Sequence, residues 1–379
     1  MPSRGRARSS RTHCPRSRRR RCARRSPVPA ESSGAFAPGR VNLIGEHTDY
    51  NDGLALPFAI AEGITVRARA NGAQQMRVQA ADLGESDEFA LADPPPAQGW
   101  RAFVHGAVAE LARASFPLVG ADVSIGGDLP RGSGLSSSAA LEVALCLALI
   151  ALGAEQPLAA REPALDRTEL ARLCSRVEND WVGAHTGLLD QLACLYGSPD
   201  TALCIDFRSL SVQEVPLVLG DWRLVVLDSG ERHAHASSGY NQRRAECARA
   251  CELLGVSSLR DADAQAAARL PEPLRRRAAH VIGENARVRA AVAALRSGDL
   301  AALGGLLDAS HASLRDDYEV STAAVERTVG RLRDAGAVGA RIVGGGFGGI
   351  VLGLFAPGGH PPVGAREVRP SAGAHLIDS

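Results

Sequence analysis

Residues 130–145 read Pro-Arg-Gly-Ser-Gly-Leu-Ser-Ser-Ser-Ala-Ala-Leu-Glu-Val-Ala-Leu, a run of small residues that passes directly into an apolar one. The apolar part, residues 141–152, has no internal Gly or Pro and is rich in Ala and Leu, which are good helix formers. The spacing predicts a glycine-rich loop opening a buried helix. Such a helix start has unpaired N–H groups and the positive end of the helix dipole, so it can receive an anion. Gly132 and Gly134 lack a Cβ and let the backbone come close to a phosphate. Ser136, Ser137 and Ser138 add hydroxyls that can hold a phosphate oxygen or a hard metal ion. The same residues would also suit an ordinary serine-capped core helix.

The 379-residue chain contains no lysine. That excludes a lysine-dependent phosphate loop, a kinase of the protein-kinase type, and Schiff-base or pyridoxal-phosphate chemistry. A nucleotide phosphate bound here must be met by backbone amides, serine hydroxyls and a metal ion. The length suits two domains, and a hydrophobic content of 45% is enough for a packed core. With aromatics at only 4%, Leu, Val and Ala must fill it.

Residues 1–30 hold eleven arginines and no acid, without hydrophobic periodicity, and are expected to be a disordered Arg-rich extension. The formal net charge of +1 therefore hides an acidic body, which makes a nucleic-acid partner unlikely. No stretch approaches the ~18 apolar residues of a membrane span. The eight cysteines include no Cys-x-x-Cys pair and read as reduced thiols of a cytoplasmic protein.

Gly39-Arg-Val-Asn-Leu-Ile-Gly-Glu-His-Thr-Asp-Tyr-Asn-Asp-Gly53 is dense in polar groups. It reads as a turn around Pro38-Gly39, a short segment over residues 41–44, then a loop. Glu46, His47 and Asp49 fall within four residues and could together meet several hydroxyls of one polyol. A metal site and a self-bonded turn are the competing readings. Residues 54–70 and 76–91 have β patterning, residues 100–114 form an amphipathic helix, and residues 121–125 a short strand. A helix is expected over residues 168–181, with Glu178 near its end. Asp190 sits among Leu188, Leu189, Leu192 and Leu195, where a carboxylate needs a cation or a functional reason. Strands are expected at 202–207 and 222–228, and helices over 241–254, 260–296, 300–316 and 322–335. His185, and His233 with His235, read as capping, core or loop histidines. A second glycine cluster, Gly344-Gly-Gly-Phe-Gly-Gly349, precedes an apolar strand.

These three motifs, in this order, resemble galactokinase, of the GHMP small-molecule kinase superfamily. The 39–53 segment is similar to the galactokinase signature. Gly132-Ser-Gly-Leu-Ser-Ser-Ser-Ala-Ala140 and the 344–349 cluster are similar to the superfamily's other two motifs, and His311-Ala-Ser-Leu-Arg-Asp-Asp-Tyr-Glu-Val320 also looks like a family segment. The resemblance implies an α+β, two-domain GHMP kinase fold with the active site in the inter-domain cleft. Its N-terminal domain would span residues 31–215 and its C-terminal domain residues 216–379. It implies ATP-dependent phosphorylation of the C1 hydroxyl of α-D-galactose, with galactose and ATP as substrates and Mg²⁺ as the metal, in a cytoplasmic monomer. Asp190 would be the base. Arg40 would be the cation that keeps it ionised and steadies transition-state charge. Glu46, His47, Asp49, Gly187 and Tyr240 match the sugar-contacting positions. Gly132, Ser133, Gly134, Leu135, Ser136, Ser137 and Ser138 match the phosphate loop, with Ser138 and Glu178 at the magnesium positions. Related alternatives are a kinase for N-acetylgalactosamine or arabinose, or a non-catalytic sensor of galactose and ATP; the presence of Arg40, Asp190 and all three serines favours the enzyme.

Val343 and Ile350 stand where the family pattern has Thr and often Cys. After Phe355, a Pro- and Gly-rich stretch occupies the place where the family has a helix. The second domain is therefore expected to be shortened, with part of its sheet exposed.

Overall fold

The computed structural model describes residues 30–129, 134–154, 166–184, 186–231 and 236–378. The first half runs β1 Ser32–Asn42, β2 Leu54–Ala55, β3 Pro57–Ala70, β4 Gln75–Ala80, β5 Glu85–Ala90, α1 Trp100–Arg113, β6 Ala121–Gly127, α2 Ser137–Gly153, α3 Arg167–Arg176, α4 Leu189–Tyr196, β7 Thr201–Asp206 and β8 Ser211–Pro216. The second half runs β9 Arg223–Asp228, α5 Ala236–Leu254, α6 Ala264–Ala267, α7 Leu274–Ser297, α8 Leu300–Asp316, α9 Ala323–Asp334, β10 Gly339–Ile342, β11 Ile350–Phe355, β12 Arg366–Val368 and β13 His375–Ile377. Mixed sheets and helices on this plan make an α+β fold.

A six-stranded sheet has the order β13-β1-β3-β6-β4-β5, antiparallel except for the parallel pair β4–β6. Helix α2 is apolar nearly all round and is buried along most of its length, as such a helix must be. It packs on β1 and β3. A three-stranded sheet, β2-β7-β8, follows it.

The second half is built on a four-stranded sheet, β10-β11-β9-β12. Its side chains alternate as strand geometry requires. Leu224, Val226, Leu352 and Leu354 join the large core shared with the first half. Val225, Leu227, Val351 and Phe355 join a second core with Leu314, Val325, Val329 and Leu332 of the helical layer. No helix lies in residues 356–365. β10 and β11 are buried at every residue, between the two cores, whereas Arg366 and Glu367 of the edge strand β12 are half-buried. The exposure expected from that shortening thus reaches only β12 and the ends of β9.

Four local expectations differ from what is observed. Residues 32–42 form one strand instead of a turn and a short segment. The register shifts between Pro38 and Arg40, so the proline sits at a bulge, where a missing ladder donor is tolerated. The helix expected over 168–181 is α-helical only to Arg176 and continues as a π-helical turn, Val177–Val182. The helical pattern over 260–296 is interrupted around Pro271 and Pro273, which cannot continue a helix. The last strand, β13, returns to pair with β1, Gly34 opposite Ile377. The chain's end thus lies in the sheet of the first half.

Candidate active site

The bulge in β1 sets the geometry of the site. Gly39 passes so close to the loop before α2 that a Cβ there would stand 2.6 Å from Leu129 and 2.7 Å from the Leu135 carbonyl. The Arg40 amide donates to that carbonyl at 3.1 Å. Arg40 is thereby aimed across the loop. Its Nε donates to Asp190 Oδ1 at 2.7 Å and its Nη1 to the Gly134 carbonyl at 2.7 Å. Asp190, in the first turn of α4, accepts on its other oxygen from Ser136 Oγ at 2.5 Å. The cation that Asp190 needed in its apolar setting is therefore Arg40.

The loop after β1 is held from the second half of the chain. On α7, Glu284 accepts from the Gly45 amide at 2.9 Å and Asn285 from the Leu54 amide at 2.8 Å. His280 reaches the Glu46 carbonyl at 3.1 Å. Thr48 closes the turn internally through the Gly45 and Leu54 carbonyls. Within this frame Glu46, His47 and Asp49 face one cavity of about 310 Å³, together with Arg40, Gly187, Asp190, Tyr240 and Gly344 to Gly346. The five positions that the resemblance implies for the sugar, Glu46, His47, Asp49, Gly187 and Tyr240, all line this cavity. The larger open depression over the six-stranded sheet, about 800 Å³, is lined by side chains that pair among themselves, such as Arg77 with Glu88 and Asp122, and is unrelated to this cluster.

Electrostatics differ sharply within the cavity. Burial pushes the Asp49 carboxyl up to about 6, with Asp190 and Glu46 adding to the rise and the Tyr50 amide opposing it. Burial likewise raises Glu46, against the pull of Arg341 and Arg40. His47 has a left-handed backbone, φ 61°, and burial brings its pKa down to about 3, so it is neutral at physiological pH. Its Nδ1 meets the Tyr50 hydroxyl at 2.8 Å, which in turn meets Tyr318 at 3.0 Å.

On the other side of the Arg40–Asp190 pair lies the start of α2. Gly132 and Ser133 lie outside the described residues, as do His185, His233, His235 and residues 1–29. Gly134 has φ 77° and Ser136 has φ 61°, so two left-handed residues turn the chain into the helix. Ser138 lies beside Glu178, which accepts from Thr186 Oγ1 at 2.7 Å and Gln191 Nε2 at 2.9 Å. The π-helical turn carries Glu178 to this point; such insertions recur at functional positions. Burial and the neighbouring Asp190 raise the Glu178 carboxyl. Among the described residues no group of three or more His, Cys, Asp or Glu converges as a metal cage. A second cavity, about 430 Å³, opens beside Ser137 and Ser138 and is walled by Ile64, Leu83, Trp100, Phe103 and Leu141.

Family models match the chain in three places: the galactokinase galactose-binding signature at residues 27–70, the GHMP kinases N terminal domain at 102–198, and the GHMP kinases C terminal domain at 291–374. The galactokinase of Mycobacterium tuberculosis is 46% identical over 326 residues, covering 84% of this chain and 87% of that protein. The chain belongs to the galactokinase family. The galactokinase of Streptomyces coelicolor is 42% identical, covering 87% of this chain and 86% of its own. Among solved structures, Lactococcus lactis galactokinase complexed with galactose superposes with a TM-score of 0.83 at 32% identity, covering 92% of this chain and 95% of that one. The mevalonate kinase of Methanococcus jannaschii, at 17% identity and a TM-score of 0.65, shares the fold.

Sequence reasoning missed several residues of the site. Arg341 lies just before the 344–349 cluster with no role in the sequence reading, which takes Ser136 as a phosphate-loop, metal-holding or capping hydroxyl and not as a partner of Asp190. Thr186 and Gln191, which hold Glu178, carry no signal recognisable by spacing.

Proposed function

We propose that Asp190 is the base of a galactose 1-phosphotransferase and Arg40 its electrostatic partner. The chain is a galactokinase: it transfers the γ-phosphoryl group of ATP to galactose. The observation that carries the assignment of roles is the Arg40–Asp190 pair, which forms the wall between the polar cavity and the start of α2. In this reading the sugar lies against Glu46, His47, Asp49, Gly187 and Tyr240, with its C1 hydroxyl at Asp190. Asp190 takes the hydroxyl proton as the oxygen attacks the γ-phosphorus, and the bond to the departing ADP oxygen breaks. Arg40 stabilises the negative charge that develops on the transferring group.

The phosphates lie on the residues 132–138 loop, where amides at the α2 start and the serine hydroxyls replace the absent lysine. The adenine fits the second cavity, whose apolar walls and two aromatic rings suit a flat heterocycle. Ser138 and Glu178, two neighbouring hard oxygen donors, suit Mg²⁺, which takes few protein ligands and completes its shell with phosphate oxygens and water. When bound, the ion neutralises phosphate charge. We assign the division into two domains near residue 215, a monomeric state and a cytoplasmic location to the same reading. Free cysteines speak for the last.

The test is ATP consumption by the purified chain with Mg²⁺ across galactose, glucose, N-acetylgalactosamine and arabinose. Turnover with galactose and not with the others is expected. Turnover only with another sugar would reassign the substrate.

A further inference from the structure

We propose that Arg341 is a positioning residue for the sugar: from β10 in the second half of the chain, it clamps the segment between Arg40 and Glu46 and sets the Glu46 carboxylate toward the galactose cavity. This rests on the reading of Glu46 as a sugar acceptor.

Arg341 is fully buried, with Gly339, Ala340 and Ile342 as its strand neighbours. A guanidinium costs much to bury unless it is paired. Packing alone would be served better by an aliphatic residue. Its Nη1 donates to the Asn42 carbonyl at 2.9 Å and the Leu43 carbonyl at 3.0 Å. Those carbonyls lie between Arg40, which holds Asp190, and Glu46. Its Nη2 stands 3.3 Å from Glu46 Oε1, and the same oxygen accepts from the Gly344 amide at 2.7 Å. The Arg341 guanidinium from β10 and the Gly344 amide from the turn that follows it thus converge on one carboxylate oxygen of a cavity residue. The Nε and Nη2 atoms have no aligned hydrogen-bond acceptor, although both are buried. The side chain is therefore held by charge toward Glu46 and by the two carbonyls, and not by a fully satisfied structural network.

Burial drives the Glu46 carboxyl toward its neutral form, and Arg341 is the strongest opposing influence, ahead of Arg40. Glu46 is faced by Arg341 from β10, Arg40 from β1 and Asp49 from its own loop, and His280 of α7 touches its carbonyl. A role confined to stapling the two halves together would affect stability without touching the pH dependence of sugar binding.

The experiment is calorimetric titration of the full chain with galactose between pH 5.5 and 8. Arg341→Gln is expected to weaken galactose binding at least tenfold at pH 7, with a further loss toward pH 5.5 that exceeds the parent's. Arg341→Lys, which retains the charge, is expected to stay within threefold of the parent and to keep its pH dependence. Equal weakening by both variants with the parent's pH dependence would leave a staple and overturn the proposal, as would parental binding by folded Arg341→Gln. Should Arg341→Gln not fold, Glu46→Gln replaces it in a double-mutant cycle with Arg341→Lys. The lysine change is expected to weaken binding measurably, though by less than threefold, in the parent and not at all in Glu46→Gln; an equal effect in both backgrounds overturns the coupling. If Glu46→Gln by itself binds galactose like the parent, it is the sugar-site reading that fails, and the Arg341 proposal falls with it.

Discussion

Ser136 and Asp190, 54 residues apart, share a hydrogen bond of 2.5 Å in which the serine donates to the carboxylate oxygen that Arg40 leaves open. The serine can do this because its backbone is left-handed, φ 61°, which turns its side chain away from the usual capping position; it makes no cap bond to α2. A residue that looks like a helix cap is instead part of the setting of the carboxylate.

Two substitutions separate these contributions. Asp190→Asn keeps the shape and removes the proton acceptor, so kcat should fall by about 10²–10⁴-fold while galactose still binds. Ser136→Gly keeps the left-handed backbone without strain and removes the short side chain with its hydroxyl. Its kcat should fall roughly tenfold, the size of one hydrogen bond to a charged group. Single-turnover rates together with galactose titrations measure both. Parental turnover in Asp190→Asn would remove the base assignment.

Gly187 adjoins Asp49 so closely that a Cβ would stand 2.1 Å from Asp49 Oδ2. The carboxylate would have to swing aside. Gly187→Ala should therefore raise the galactose KM by roughly ten- to a hundredfold, an effect of about 1–3 kcal/mol, with the ATP KM little changed. Steady-state kinetics with each substrate varied in turn decides this, and an unchanged galactose KM would mean that Asp49 does not bind the sugar.

Asp49 also predicts a pH dependence. Its carboxyl lies at about 6 in the fold, against the usual 3.8. Between those values the native chain holds a proton that the unfolded chain has lost. The group's contribution to stability therefore grows as pH falls through 6 and is lost as pH rises. Sugar binding runs the other way, because the ionised form accepts hydroxyl hydrogen bonds on both oxygens and more strongly. Galactose affinity should fall below pH 6, by at most about tenfold per pH unit for one titrating group. His47, at about 3, does not titrate in that range. Asp49→Asn should lose this component of the profile, and a variant with the parent's full profile would assign it to another group.

Gly45 bears on stability alone. Its φ of +101° is one that side chains rarely adopt, and a Cβ would meet Ala55 Cα and the Leu54 carbonyl, both at 2.6 Å. These are backbone atoms that cannot rotate away. Gly45→Ala should cost about 3 kcal/mol or more, read as a lower urea midpoint. An unchanged midpoint would show that the loop can shift as a body.

The amino-acid sequence by itself determined the parts that depend on local pattern. The apolar run after Ser138 makes α2 a buried helix wherever it lies. Three glycine- and polar-rich motifs mark the three loops that meet at the site, and the absence of lysine restricts how phosphate can be held. Only the tertiary structure decided which groups meet. Arg40 reaches Asp190 across 150 residues, and Arg341 reaches the Glu46 loop across nearly twice that. The π-helical turn that carries Glu178 and the return of β13 to β1 belong to the same class. The reason is physical. A helix or strand declares itself through side-chain periodicity over a few residues. An ion pair between distant segments leaves no such period, and its partners are selected by the packing that brings two backbones together.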